Sequence, residues 1–140
     1  MSLVIEETRD IGVCLALRRV VFIEEQGVSE ADEVDGLDLE ARHLLAFWDG
    51  VAVGTARLLV SGDMAKIGRV CVLAVARGRG IGAGLIRAGV AALAAVPGVC
   101  VVKLGAQVHA VGFYEGLGFA VVGQEYQDAG IAHLDMVRRV

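Results

Sequence analysis

Proline is nearly absent: Pro97 is the single one in 140 residues, against a hydrophobic share of 56%. That pairing excludes a disordered chain, and no interval reads as a linker, so one domain over residues 1–140 is expected, long enough to bury a core. Repeats and low-complexity tracts are missing too. The longest apolar run, Ala88 to Val96, contains a glycine and is too short to cross a bilayer, and the opening MSLVIEETRDIG lacks the basic and apolar regions of a signal peptide. These absences predict a soluble, cytoplasmic protein without a membrane partner. Cysteine is scarce: Cys14, Cys71 and Cys100 are odd in number and lack metal-type spacing. They read as buried thiols in a reducing compartment, not as disulfides or ligands, and no metal is expected.

Charge of one sign is missing from two stretches. Between Met64 and Tyr114 there is no Asp or Glu, while Lys66, Arg69, Arg77, Arg79, Arg87 and Lys103 fall there. From Glu24 to Glu40 the reverse holds, with eight carboxylates and no Lys or Arg. The acidic run is either a solvated face or a place that meets a cation, and the centre of the chain is then suited to an anion. A net charge of −4, with no basic stripe carrying aromatics, argues against duplex nucleic acid.

What is present is a readable order of elements. Ser2 to Glu6 is strand-like, and Ile11, Cys14, Leu15, Val21 and Phe22 approximate a helical stripe behind Asp10 as N-cap, predicting a helix from Ile11 to about Gln26. A long acidic loop follows, with room for a short helix. His43 to Trp48, Val51 to Leu59 and Ala65 to Val75 form a meander around the turns Asp49-Gly50 and Ser61-Gly62-Asp63. Ala83 to Ala95 reads as helix stopped by Pro97-Gly98, Val99 to Leu104 as a buried strand, and Gln107 to Leu117 as a short helix capped by Gly118. Phe119 to Tyr126 and Ile131 to Val140 close the chain as a hairpin about Asp128-Ala129-Gly130. The pattern is α/β: a mixed sheet with at least one parallel crossover.

VCVLAVARGRGIGAGL, Val70 to Leu85, joins a strand to a helix through glycines at 78, 80, 82 and 84. Such a junction is an anion site, because unpaired N–H groups and the helix dipole converge where no side chain blocks approach; a tight turn with close helix packing explains the same glycines. A P-loop needs Lys followed by Ser or Thr after its glycines, and here Ala83-Gly84 follow Gly82. Gly78 to Ala83 satisfies a loose dinucleotide pattern, but no acidic residue stands about 20 positions on to hold a ribose. Both nucleotide readings fail.

Arg77-x-x-Gly80-x-Gly82 after a long strand resembles the pyrophosphate signature of the GNAT superfamily of acyl-CoA-dependent N-acyltransferases. HAVGFYEGLGF, His109 to Phe119, resembles its second signature, and the element order agrees over essentially the whole chain. RRVVFIEEQ, ARHLLA, KIGRVCV, LGAQVHAVGFYEGLGF and YQDAGIAHLDM look like the single-domain ElaA-like branch. The resemblance implies a six- to seven-stranded, mostly antiparallel sheet with about four flanking helices, its central parallel pair splayed to admit coenzyme A; Gly105-Ala106 is where small residues permit the splay.

It further implies transfer of an acetyl or other short acyl group from coenzyme A to the primary amine of a small molecule or peptide, in a ternary complex without a covalent enzyme intermediate. On the motif positions, Gly78, Gly80, Ile81 and Gly82 offer amides to the pyrophosphate and Arg77 and Arg79 add charge. Val70 and Val72 supply backbone groups to the pantetheine arm and thioester, and Gln107 joins the coenzyme contacts. Tyr114 is the implied general acid for the departing thiolate. The central strand RVCVLAV carries no carboxylate, so Glu25, His43 and His109 stand as candidates for the base or for holding the amine, with a water chain as another route. A homodimer remains open. An acyl-homoserine-lactone-type synthase and a non-catalytic acyl-CoA sensor are the competing functions.

Overall fold

The computed structural model describes residues 2–140. Strand β1 (Leu3–Thr8) leads to Asp10, whose carboxylate accepts from the Val13 amide at 3.4 Å and caps α1 (Ile11–Arg18) as expected. The helix then widens into a π-helical segment, Arg19–Glu25, in which the Gln26 amide donates five residues back to the Val21 carbonyl at 3.1 Å. Its helical extent matches the sequence reading; what differs is the wider turn over its second half. The acidic stretch holds one short helix, α2 (Glu30–Glu33), capped by Ser29. The meander is β2 (Arg42–Trp48), β3 (Val51–Ser61) and β4 (Met64–Val72). Strand β4 stops three residues before the expected Val75, because Ala74–Ala76 close a 3-10 turn on the Leu73 carbonyl.

Helix α3 (Ile81–Ala94) and strand β5 (Val101–Gln107) follow. Where one helix was expected from Gln107, β5 keeps Gln107, a 3-10 turn takes Val108–Ala110, and α4 is only Val111–Glu115. Gly118 ends it at φ +92°, the left-handed turn that glycine adopts without strain. Strands β6 (Ala120–Asp128) and β7 (Ile131–Arg139) turn through Ala129 and Gly130, both at positive φ.

The seven strands run β1-β2-β3-β4-β5-β7-β6, antiparallel at every pairing except β4 with β5. Both faces of the centre are covered, which is why β2 and β3 bury consecutive residues. Ile81, Leu85, Ile86 and Leu93 of α3 pack with Leu58, Ile67, Val102 and Leu104. Gly89 lets the helix approach: a Cβ there would meet Ile67 Cδ1 at 3.0 Å. On the other face Cys14, Leu17 and Val21 pack with Leu45 and Cys71. Burial pushes the Cys71 thiol up to about 12 and raises that of Cys14, so both stay protonated. Cys100 differs from the expectation: it is exposed, beside Asp63 at the far end of β5.

The acidic segment is exposed along most of its length, as a solvated face would be, but Glu33, Asp35 and Asp38 turn inward onto arginines. Glu33 and Asp38 bind the guanidinium of Arg18, which is 1% exposed; Asp35 accepts two bonds of 2.8 Å from Arg57. Arg69 reaches Asp35 and the carbonyls of Asp32 and Glu33. All three arginines lie outside the segment in sequence, so a charge run read along the chain hides its own counterions. The Arg57 guanidinium holds the Asp35 carboxyl well below the usual range; at Asp38 burial acts upward but is outweighed by Arg18 and Arg57. A carboxyl lowered by folding contributes stability that is complete above its unfolded value, about 3.9 for Asp, and is lost as pH falls through the folded value. The thermal midpoint should therefore hold above about pH 5 and fall steeply from about pH 4 to pH 2, with a shallower fall in Asp35→Asn; calorimetry across that window checks both.

Candidate active site

The parallel pair is held only at Met64 with Val101, Ala65 with Val102 and Lys66 with Lys103. Past that point β4 stays with β3 and β5 stays with β7, so the two strands part. Two local features go with the separation. Arg69 stands at φ +49° where the β3–β4 register jumps between Arg57–Gly68 and Thr55–Cys71, a bulge that bends β4. Gly105 on β5 has no side chain where a Cβ would lie 2.7 Å from the Tyr126 hydroxyl, which lets that hydroxyl close onto the strand.

A cavity of about 280 Å³ occupies the gap. Its base is Lys66 to Val70 of β4 with Leu104, Gly105 and Gln107 of β5; Phe22, Gln26 and Val28 form one wall, and Tyr126, Ile131 and His133 the other. Gln107 donates to Gln26 at 3.1 Å, linking the end of β5 to the end of the π-helical segment. Tyr114 also lines it. Its ring meets Phe113 and the buried Phe119 edge-on, at 5.0 and 6.2 Å between centroids, and its carbonyl accepts from Leu117 and Phe119. Burial, with nothing offsetting it, raises the phenol above its ordinary value, so the hydroxyl is a proton donor at neutral pH.

Beyond the end of β4, Gly78 and Gly80 take φ of +80° and +76°, with open space where their Cβ atoms would be. Gly80 caps α3 without a side-chain hydrogen bond, leaving the first helical amides without a side-chain partner. Gly84 differs from the sequence reading of the four glycines: a Cβ there would lie 2.9 Å from Ile5 Cδ1, so it serves close approach of the helix to β1. Because Leu73 N donates to the Val53 carbonyl, strand alternation turns the Val72 amide and carbonyl toward the gap. Arg77 confirms that direction: its Nε donates to the Val72 carbonyl at 3.0 Å, and its two terminal nitrogens grip Glu25 at 2.6 and 2.7 Å. The pairing lowers the Glu25 carboxyl. Arg79 lies over the Trp48 ring, 5.0 Å from its centroid.

The sequence-predicted residues thus fall into separate groups. Val70, Gln107 and Tyr114 meet in the cavity; Glu25, Val72 and Arg77 form a bonded chain; Gly78 to Gly82 make the helix entrance. His109 is exposed and does not line the cavity. His43 is 2% exposed on β2, outside the cavity, with Nε2 2.8 Å from the Asp38 carbonyl. Four residues were missed. Tyr126 donates to Asp135 at 2.6 Å, Asp135 pairs with Lys103 at 3.2 Å, and the His133 ring stacks on Tyr126 at 5.9 Å. A signal for them existed: folding YQDAGIAHLDM about its Asp-Ala-Gly turn sets Tyr126 opposite His133.

Among the described residues no helix is long and apolar enough to cross a membrane, and no His, Cys, Asp and Glu cluster is placed to hold a metal ion. The chain is 38% identical over 134 residues to YyaT of Bacillus subtilis (strain 168), covering 94% of this chain and 90% of that one. It is 37% identical to the protein ElaA of Escherichia coli (strain K12), with 90% and 85% covered. The crystal structure of an acyl-CoA N-acyltransferase from Pseudomonas aeruginosa superposes with a TM-score of 0.88 at 33% identity, over 98% of this chain and 99% of that chain. The acetyltransferase (GNAT) domain family matches residues 21–140, which contain the splayed strands, the glycine entrance and Tyr114 alike. On that match, and on relatives this similar over nearly their whole length, the chain belongs to the GNAT acetyltransferase family, with ElaA among its homologues.

Proposed function

We propose that the protein transfers an acetyl group from acetyl-CoA to a primary amine, by direct attack of the amine in a ternary complex. The observation that carries this reading is the β4–β5 gap, which has Tyr114 on its lining and an uncapped helix N-terminus just beyond β4. The residues fit the coenzyme: open glycines and free amides suit a pyrophosphate, and a strand edge facing a gap suits a pantetheine arm that pairs like an added strand. Acetyl-CoA supplies the activated thioester. Ile81 and Gly82 amides bind the pyrophosphate, Val72 N–H polarises the carbonyl, and Tyr114 protonates the sulfur as the C–S bond breaks. Glu25 serves Arg77: a carboxylate held by a bidentate arginine is a poor proton acceptor, and it fixes the arginine beside the Val72 carbonyl.

The test is thiol release from acetyl-CoA across polyamines, amino acids, aminoglycosides and peptide N-termini. Thiol appearing at the rate of N-acetylation with at least one amine class is expected. Tight coenzyme binding with no transfer to any amine would leave a binding protein instead.

A further inference from the structure

We propose that His133 is the catalytic base, taking the ammonium proton of the acceptor through Nε2; this rests on the acetyltransferase reading above. The ring lines the cavity, and its Nδ1 stands 2.7 Å from the Ile131 carbonyl. A carbonyl only accepts, so Nδ1 carries the hydrogen and Nε2 presents a lone pair. Nε2 makes no hydrogen bond to any described residue. The ring plane is set from outside: it stacks on Tyr126 at an interplanar angle of 25°, Tyr126 is tied to Asp135, and Asp135 is tied to Lys103 of β5. On the other side, the imidazole edge faces the bare Gly105, with Cδ2 4.0 Å from where a Cβ would stand.

The carboxylates near the cavity are otherwise engaged or peripheral. Glu33 is spent on Arg18, Glu25 on Arg77 and Asp135 on Lys103 and Tyr126. Asp32 of α2 and Asp128 at the end of β6 line the cavity from exposed positions. The titratable and charged groups around the imidazole are Tyr126 and Asp128 from β6, Asp135 from its own strand, Lys103 from β5 and Lys66 from β4. Across the cavity stand Arg69 and the α2 carboxylates. Tyr114 lines the same cavity from α4, so a donor and an acceptor converge on one volume from different elements.

Protons balance. An ammonium acceptor loses two on becoming an amide: one ends on the coenzyme sulfur by way of Tyr114, and the other leaves through His133 to solvent. The C–N bond forms at the thioester carbonyl as the C–S bond breaks.

The experiment measures kcat/KM against pH with an accepted amine for wild type, His133→Gln and Asp128→Asn. For a strongly basic amine, His133→Gln should lose about 10²- to 10⁴-fold in kcat/KM, with the KM for acetyl-CoA kept. With a weakly basic aryl amine, already unprotonated, the loss should shrink to about tenfold or less. In the intact enzyme the acid limb of kcat/KM should coincide with the titration of the His133 ring by NMR, a readout independent of whether a variant folds. Equal losses for both amines, a wild-type rate in His133→Gln, or an acid limb that moves in Asp128→Asn but not in His133→Gln would overturn the proposal while acetyl transfer itself stands. If wild type acetylates no amine, the functional reading and this one fall together.

Discussion

Tyr114→Phe is expected to lower kcat by about 10²- to 10⁴-fold while leaving acetyl-CoA affinity within about twofold of wild type. The substitution removes one oxygen and keeps the ring, so the edge-on contacts with Phe113 and Phe119 survive. Those contacts make the position look like core, and the Phe variant separates packing from chemistry. Burial is the sole cause raising the phenol, so no neighbouring cation competes to ionise it, and the hydroxyl keeps its proton until the thiolate forms. Tyr114→Ala, by contrast, deletes the ring as well and should lower stability along with kcat. Steady-state kinetics with a coenzyme-binding isotherm for each variant decides the matter; a Tyr114→Phe protein with wild-type kcat would mean that the thiolate leaves without help from this residue.

The order of elements was legible because each has a local cause: Asp10 as cap, the Asp49-Gly50 and Asp128-Ala129-Gly130 turns, the apolar strands of the meander. Tyr114 was singled out for a different reason, the resemblance of HAVGFYEGLGF to a family signature, and the fold sets it on α4 with its ring on the cavity lining. What escaped was pairing across long sequence distances. Arg18, Arg57 and Arg69 reach the acidic segment from 15 to 37 residues away, and no pattern along the chain couples them to it. Glu25 and Arg77 are 52 residues apart, and nothing along the chain shows that this candidate base is gripped by an arginine. His133 was passed over because YQDAGIAHLDM marks a family resemblance without showing which of its side chains reaches the cavity. Its role emerges from register, which sets it beside Tyr126, and from the splay, which opens a cavity at that point.

Arg18→Met is expected to cost about 3–5 kcal/mol and to lower the thermal midpoint by roughly 10–20 °C, more than a typical surface substitution. The guanidinium is 1% exposed, and its removal strands Glu33, at 3%, as an unpaired charge and leaves the mostly buried Asp38 only its 3.3 Å contact with Arg57. Taking a carboxylate out of water without a partner is what makes the loss large; the ion pair itself is nearly neutral against a well-packed apolar replacement. Arg18→Met combined with Glu33→Gln and Asp38→Asn should therefore recover much of the midpoint. Arg42→Met supplies the contrast: Arg42 and Glu7 are paired at 2.7 Å but are 38% and 48% exposed, and their loss should cost at most about 1 kcal/mol. Function is coupled to this, because Glu33 lines the cavity and Arg69, which shapes β4 beside it, bonds the Asp32 and Glu33 carbonyls. Freeing α2 should thus raise the acceptor KM at temperatures where the triple variant is fully folded, while the affinity for acetyl-CoA is expected to stay at the wild-type value. If Arg18→Met melts like wild type, the network contributes no more than an exposed salt bridge would.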